Sequence, residues 1–164
     1  MNGDEQSFER LMNLHLKVIY NYIRIYVNNS EDIKDILQES MLSIWMSLKE
    51  FNSQSAFRTW VFTIVRRRIA DHFRTVYKNQ AVRISEFENT LISDDEIESI
   101  VTKIDVDEAV KTLSINEREI VFLTFTAQLT YSEISEIMHI PLGTVKSKIF
   151  SIKKKLRKQL QEGG

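Results

Sequence analysis

Residues 58 to 74, RTWVFTIVRRRIADHFR, set three consecutive arginines, Arg66, Arg67 and Arg68, among Trp60, Phe62, Ile64, Val65, Ile69 and Phe73. Guanidinium groups meet phosphates and base edges, and aromatic rings stack on bases, so this mixture has the chemistry of a nucleic-acid contact. A second stretch, GTVKSKIFSIKKKL at 143 to 156, combines lysines with a serine and a phenylalanine. Nothing of catalytic type accompanies them. The chain has no Gly-rich phosphate loop, no metal-ligand spacing and no nucleophile with a base beside it. Asp105 and Asp107 hint at a calcium loop, but the required glycine and terminal glutamate spacing are missing. His15, His72 and His139 stand apart from one another, and with no cysteine in the chain thiolate zinc sites, disulfides and a cysteine nucleophile are all excluded. No enzyme activity, metal or cofactor is expected.

A net charge of −1 over 164 residues would ordinarily argue against a polyanion binder. The charges are, however, segregated. From Arg58 to Arg83 seven basic residues face one acid, Asp71; from Glu86 to Glu108 nine acids face Lys103; and from Thr144 to Leu160 there are seven basic residues and no acid. Two basic blocks around an acidic middle point to two surfaces turned toward polyanions.

The elements that must carry these blocks are helices. The chain is 43% hydrophobic, enough for one ordinary or two small cores, and has a single proline and four glycines. The acidic start MNGDEQ has no apolar segment after it, and the longest uncharged run, Ile120 to Ser132, is 13 residues, short of the roughly 18 to 20 of a membrane span. A cytoplasmic all-α protein is the expectation.

Apolar residues at 8, 11, 18, 19, 22, 23 and 26 predict a first amphipathic helix over Phe8 to Val27. NNSEDI breaks it, with Ser30 the expected N-cap and Glu31 and Asp32 in the following first turn. The second helix has Ile33, Ile36, Leu37, Ile44, Trp45 and Leu48 on its apolar stripe and Asp32, Asp35, Gln38 and Glu39 on the other side. A polar loop, FNSQSAF at 51 to 57, leads into a third helix with Val61, Val65, Ile69 and Phe73 as core face. Trp60, Ile64, Arg67, Asp71 and Arg74 lie on a neighbouring face, where Trp60 serves either the core or a ligand. Periodicity fails from 76 to 93 and returns weakly at Ile97, Ile100, Val101 and Ile104. The division that follows is a first domain at 5–75, an acidic linker at 76–104 and a second domain at 105–161.

Two capping boxes punctuate the second domain: Ser114 with Glu117 opens NEREIVFLTF, and Thr130 with Glu133 opens YSEISEIMH. After IPLG a last helix from Val145 has Val145, Ile149, Ile152, Leu156 and Leu160 on its apolar face, with Thr144 as its expected N-cap. A short helix, a tight turn holding Pro141 and a basic helix make a helix-turn-helix, whose second helix enters the DNA major groove. His139 occupies the turn position where glycine is common. Lys146, Ser147, Phe150 and Lys154 share a face suited to base edges, whereas Lys148, Lys153, Lys155, Arg157 and Lys158 are placed for phosphates. The bland reading is a solvated basic helix that complements its own dipole.

With these motifs in view, the sequence resembles the sigma-70 family of bacterial transcription initiation factors, in its extracytoplasmic-function (ECF) group. DILQESMLSIW at 35 to 45 is similar to region 2.2, SAFRTWVFTIVRRRIADHFR at 55 to 74 to regions 2.3 and 2.4, and the segment from Leu113 to Leu156, above all GTVKSKI, to region 4. The resemblance implies that Asp35, Gln38 and Glu39 dock on the β′ clamp helices of core RNA polymerase; by themselves they read as a solvated acidic face. It implies that Asn52, Ser53, Gln54, Ser55, Phe57, Trp60, Arg66, Arg67 and Arg74 meet the opened minus-ten element. Stacking aromatics with cations along the backbone suit flipped, single-stranded bases. It assigns minus-35 contacts to Arg118, Tyr131, Thr144, Lys146, Ser147, Lys148, Phe150, Ser151 and Lys154, with Arg118 and Tyr131 on phosphates at helix starts.

Two positions depart from the family pattern. Arg67 stands where many members have Asn, and the two side chains prefer different base edges. LSIN, at 113 to 116, lacks the proline frequent after that leucine. The expected function is an alternative sigma factor that binds core polymerase, including the β flap, recognises two promoter elements, and is held by an anti-sigma factor. The competing reading is a repressor or activator that uses the helix-turn-helix without core polymerase and binds a palindromic duplex tightly by itself.

Overall fold

The structure, a computed structural model, describes residues 2–79 and 108–162. The weak periodicity at Ile97 to Ile104 and nearly all of the expected linker lie outside the described residues. The fold is all-α, and the chain divides into two units, Met1–Ile92 and Ser93–Gly164.

In the first unit α1 spans Asn2–Ile23, α2 Ser30–Ser47 and α3 Phe57–Asn79, with a short 3-10 turn at Leu48–Glu50. α1 starts earlier and ends earlier than its apolar spacing predicts. After Ile23 the backbone tightens, with the Ile25 N–H bonded to Tyr22 O and that of Tyr26 to Ile23 O, which tucks Ile25, Tyr26 and Val27 into the core. Asn29, not Ser30, caps α2. Its backbone is extended and its side chain accepts from the Glu31 and Asp32 N–H groups at 2.9 and 3.2 Å, leaving Ser30 as the first helical residue.

The core of this unit gathers Met12, Ile19, Tyr22 and Ile23 of α1, Ile33, Ile36 and Ile44 of α2, and Val61, Phe62, Val65 and Ile69 of α3. Phe62 stands edge-on to Tyr22 with ring centroids 5.1 Å apart, a place that the every-fourth-residue stripe on α3 did not assign it. Phe73, the expected end of that stripe, is only half-buried. On α2 a serine replaces an apolar residue: Ser40 is fully buried, its hydroxyl donating to Ile36 O within the helix at 2.6 Å. Trp45 is 39% exposed and leans on Phe8 of α1, centroids 4.8 Å apart. α3 continues helically to Asn79, so the segment from 76 read as linker begins as helix.

In the second unit α4 spans Glu108–Lys111, α5 Ile115–Val121, α6 Tyr131–Met138 and α7 Leu142–Glu162. Both capping boxes form, each with the two reciprocal bonds, at Ser114/Glu117 and Thr130/Glu133. α5 runs on into one π-helical turn, Phe122–Thr126. That wider turn buries Leu123 and leaves Phe125 60% exposed. His139 ends α6 in the left-handed conformation, φ 53° and ψ 42°, the place sequence reasoning gave it. Ser135 closes the turn: its carbonyl accepts from the Ile140 N–H, and its hydroxyl donates to Ile140 O at 2.6 Å. Thr144 is not a cap. α7 begins two residues earlier, and the Pro141 carbonyl accepts from the N–H groups of Thr144 and Val145. The unit's core is built from Leu113, Ile115, Ile120, Leu123, Leu129, Ile134, Ile137, Val145, Ile149 and Ile152.

Candidate nucleic-acid interface

The first surface is built from the loop before α3 and from α3 itself. Phe51, at one end of the loop, meets Phe57 and Trp60 at the start of α3. The three ring centroids lie 5.0 to 5.8 Å from one another, a compact aromatic cluster. In the loop the Asn52 side chain accepts from the Gln54 N–H at 3.2 Å, and Ser53 has a positive φ of 60°. Asn52, Ser53 and Gln54 are exposed, while Ser55, Phe57 and Trp60 are half-buried. The result is a polar loop whose ends join an aromatic cluster. Along α3, Arg66 is half-buried and Arg67 and Arg74 are exposed. All nine residues expected at the minus-ten element thus belong to one loop and the helix it starts.

The second surface is α7. Val145, Ile149 and Ile152 are buried at steps of four and three, and this fixes the outward direction. Lys146, Ser147, Phe150, Ser151 and Lys154 are then exposed, with Phe150 at 74%, and Thr144 and Lys148 are half-buried beside them. Burial of a phenylalanine is worth roughly 1.5 to 3 kcal/mol. Phe150 leaves that gain unrealised and stands exposed on the same helix face as Lys146 and Lys154. Tyr131 is half-buried in the first turn of α6.

Two basic residues expected on phosphates have protein partners. The Arg118 guanidinium donates to Val110 O at 3.3 Å and Lys111 O at 2.7 Å, which satisfies carbonyls at the end of α4. Lys155 reaches Glu117 at 2.6 Å. Glu117 is itself the capping-box acid and accepts from the Ser114 N–H at 3.0 Å, so one carboxylate ties the start of α5 to α7. Burial pushes this carboxyl up, but the hydrogen bonds from Lys155 and Ser114 and the lysine's charge outweigh it and hold the pKa below its ordinary 4.5. In the first unit, burial and then the charge of Arg58 push His15 below 6.5.

The third surface is the outward face of α2. Asp35, Gln38 and Glu39 are exposed, and Leu42 and Met46 continue the same face at 58% and 71% exposure. The sequence reading missed these two. Their spacing of three and seven from Glu39 was the available signal, since both fall outside the stripe set by Ile33, Ile36 and Ile44. The outward face of α2 is thus acidic and ends in an exposed leucine and methionine. Among the described residues no cluster of His, Cys, Asp and Glu is placed to hold a metal ion, and no helix is long and apolar enough to cross a membrane.

Comparison with known proteins identifies the family. The family description Sigma-70 region 2 matches residues 11–78, and Sigma-70, region 4 matches 103–156. The chain belongs to the sigma-70 family. It is 31% identical to the ECF RNA polymerase sigma-E factor of Haemophilus influenzae, over 97% of this chain and 90% of that protein. It is 24% identical to the ECF RNA polymerase sigma factor SigW of Bacillus subtilis, over 98% of this chain and 92% of the relative. Among solved structures, the sigma factor RpoE of Bartonella quintana in complex with the anti-sigma factor NepR matches with a TM-score of 0.69 at 20% identity, over 95% of this chain and 98% of that one. CnrH in complex with the cytosolic domain of CnrY matches with 0.66 at 19% identity, over 99% and 93%. The fold is therefore the one shared by these factors, and the protein is an alternative sigma factor of the ECF group that directs transcription initiation.

Proposed function

We propose that the three surfaces divide the work of initiation. The α2 face docks on the β′ clamp helices of core RNA polymerase through Asp35, Gln38 and Glu39, with Leu42 and Met46 burying apolar area alongside. The loop at 52 to 55, Phe57, Trp60 and the arginines of α3 hold the opened minus-ten strand. α7 reads the minus-35 duplex through Lys146, Ser147, Phe150, Ser151 and Lys154, with Thr144, Lys148 and Tyr131 at its edge and the β flap as the neighbouring protein contact. Arg118, engaged with α4, acts on DNA only by shaping the unit. The domain limits of 5–75 and 105–161 with an acidic linker between belong to the same proposal. The protein acts in the cytoplasm, catalyses no reaction and is held in check by an anti-sigma factor; the solved complex of RpoE with the anti-sigma factor NepR supports such a partner.

The observation that carries this reading is the coexistence, in one small chain, of a basic helix in a helix-turn-helix and a separate aromatic and arginine surface suited to unpaired bases. A simple repressor has no use for the second. An electrophoretic shift on promoter DNA tests it: the free protein binds duplex weakly, and adding core polymerase produces a tight, minus-ten-dependent complex. Tight binding of the free protein to a palindromic duplex would favour the repressor reading instead.

A further inference from the structure

Asp71 is the single acid in α3, a helix that carries five arginines and one lysine. Its two oxygens are used separately. Oδ2 accepts from Arg68 at 3.0 Å, one turn before it, and Oδ1 accepts from Arg74 at 3.2 Å, one turn after it. Asp71 and Arg68 are each 33% exposed and Arg74 is 67% exposed, so Arg68 is held against the helix and Arg74 is held at the surface. Arg67 is exposed, and among the described residues it forms no ion pair. Three of the five arginines are thus of two kinds, Arg68 and Arg74 paired with a carboxylate before any ligand arrives and Arg67 left for a ligand to order. Fixing a long side chain in advance removes part of the entropy loss that otherwise opposes binding.

We propose that Asp71 is a positioning residue of the minus-ten surface: it orients Arg68 and Arg74 along α3 and leaves Arg67 as the adaptable cation. The inference rests on the assignment of α3 to the minus-ten element. It separates cleanly from a simple effect of charge. A carboxylate near DNA repels phosphates, so if charge were its only role, Asp71→Asn would tighten binding to every sequence alike, because phosphate attraction carries no sequence information. A positioning role gives a different result. Freed arginines seek phosphates wherever they lie, so binding to any opened strand rises while preference for the correct minus-ten sequence falls.

The test uses the full chain assembled with core polymerase, on a promoter located by mapping transcription start sites and on the same promoter with its minus-ten element scrambled. Open-complex formation is measured on both across a range of salt. Asp71→Asn lowers the ratio of correct to scrambled promoter about threefold to tenfold, the scale of one charged hydrogen bond at a partly exposed site. It also steepens the salt dependence by about one phosphate contact. Asp71→Glu recovers most of the ratio, and thermal unfolding of the free protein confirms that both variants are folded. An unchanged ratio in Asp71→Asn, whatever happens to overall affinity, overturns the inference. Arg67→Ala and Arg74→Ala separate the two levels: if neither changes the ratio, the minus-ten assignment itself falls, whereas if they lower it and Asp71→Asn does not, only the role of Asp71 falls.

Discussion

α3 and α7 are both long basic helices, but they hold their charge differently. α3 uses arginine, restrains two of its guanidiniums on Asp71, and starts from a loop floored by Phe51, Phe57 and Trp60. α7 uses mostly lysine, with Lys146 and Lys154 exposed on either side of Phe150, and follows the capped helix α6 across a tight turn. Arginine is planar and can stack, and with aromatic rings it suits bases that have left the duplex. A regular helix with point charges and small polar groups suits an intact major groove. Amount of charge alone does not distinguish the two helices; the company each charge keeps does, and the two proposed jobs rest on it.

Four predictions press on that contrast. Trp60→Ala produces the largest effect: open-complex formation falls by the equivalent of about 1–3 kcal/mol, the worth of one stacked base, while minus-35 duplex binding by the holoenzyme is retained. Permanganate footprinting of the minus-ten region measures the first and a competition assay with minus-35 duplex the second. If Trp60→Ala instead abolishes both together with the folded state, its ring serves the core.

Lys146→Ala reverses the pattern. Minus-35-dependent transcription falls by about 1–2 kcal/mol, within the range of a single base contact, and a promoter already opened at minus-ten is little affected. Equal losses on promoters with and without a minus-35 element would mean that α7 supplies only general charge.

Glu117→Ala removes one capping bond and the clip to Lys155 at once, and destabilises the second unit by about 1–2 kcal/mol in thermal unfolding. The pH dependence has a definite sign. Because the folded pKa lies below the ordinary 4.5, the contribution of Glu117 is fully present above that value and is lost as pH falls through the folded pKa. Wild type and variant therefore converge in acid. His15, also depressed in the fold, makes the first unit lose stability as pH falls below its ordinary 6.5.

His139→Gly gives the smallest change. Glycine accepts the left-handed backbone without the side-chain penalty of roughly 1 kcal/mol, but loses more freedom on folding, so the unit gains about 0.5 kcal/mol and DNA affinity does not move. A clear loss of promoter binding would show that the imidazole takes part in recognition.

What could be read in the sequence follows from the range of each interaction. The capping boxes at Ser114 and Thr130 were legible because both partners lie within four residues. The N-cap at Asn29 was misplaced by one because Asn29 and Ser30 are both competent, and only backbone geometry, extended at Asn29, decides between them. The π turn at Phe122–Thr126 was hidden in an apolar run that a regular helix would fit as well. The bond between Glu117 and Lys155 joins residues 38 apart and left no local trace. Leu42 and Met46 were passed over for a different reason: reading apolar residues as core leaves no place for those that stay outside. The site residues themselves came less from spacing than from the likeness of whole segments to a known family, and the structure adds the geometry that spacing lacked.

The central claim, one chain that places core polymerase on a promoter, is tested most directly by run-off transcription with purified core enzyme and this protein alone. A discrete transcript is expected from a mapped promoter, and it disappears when either the minus-ten or the minus-35 element is scrambled. A protein that fails to bind core polymerase, or that leaves transcription by core unchanged while binding promoter duplex by itself, would contradict it.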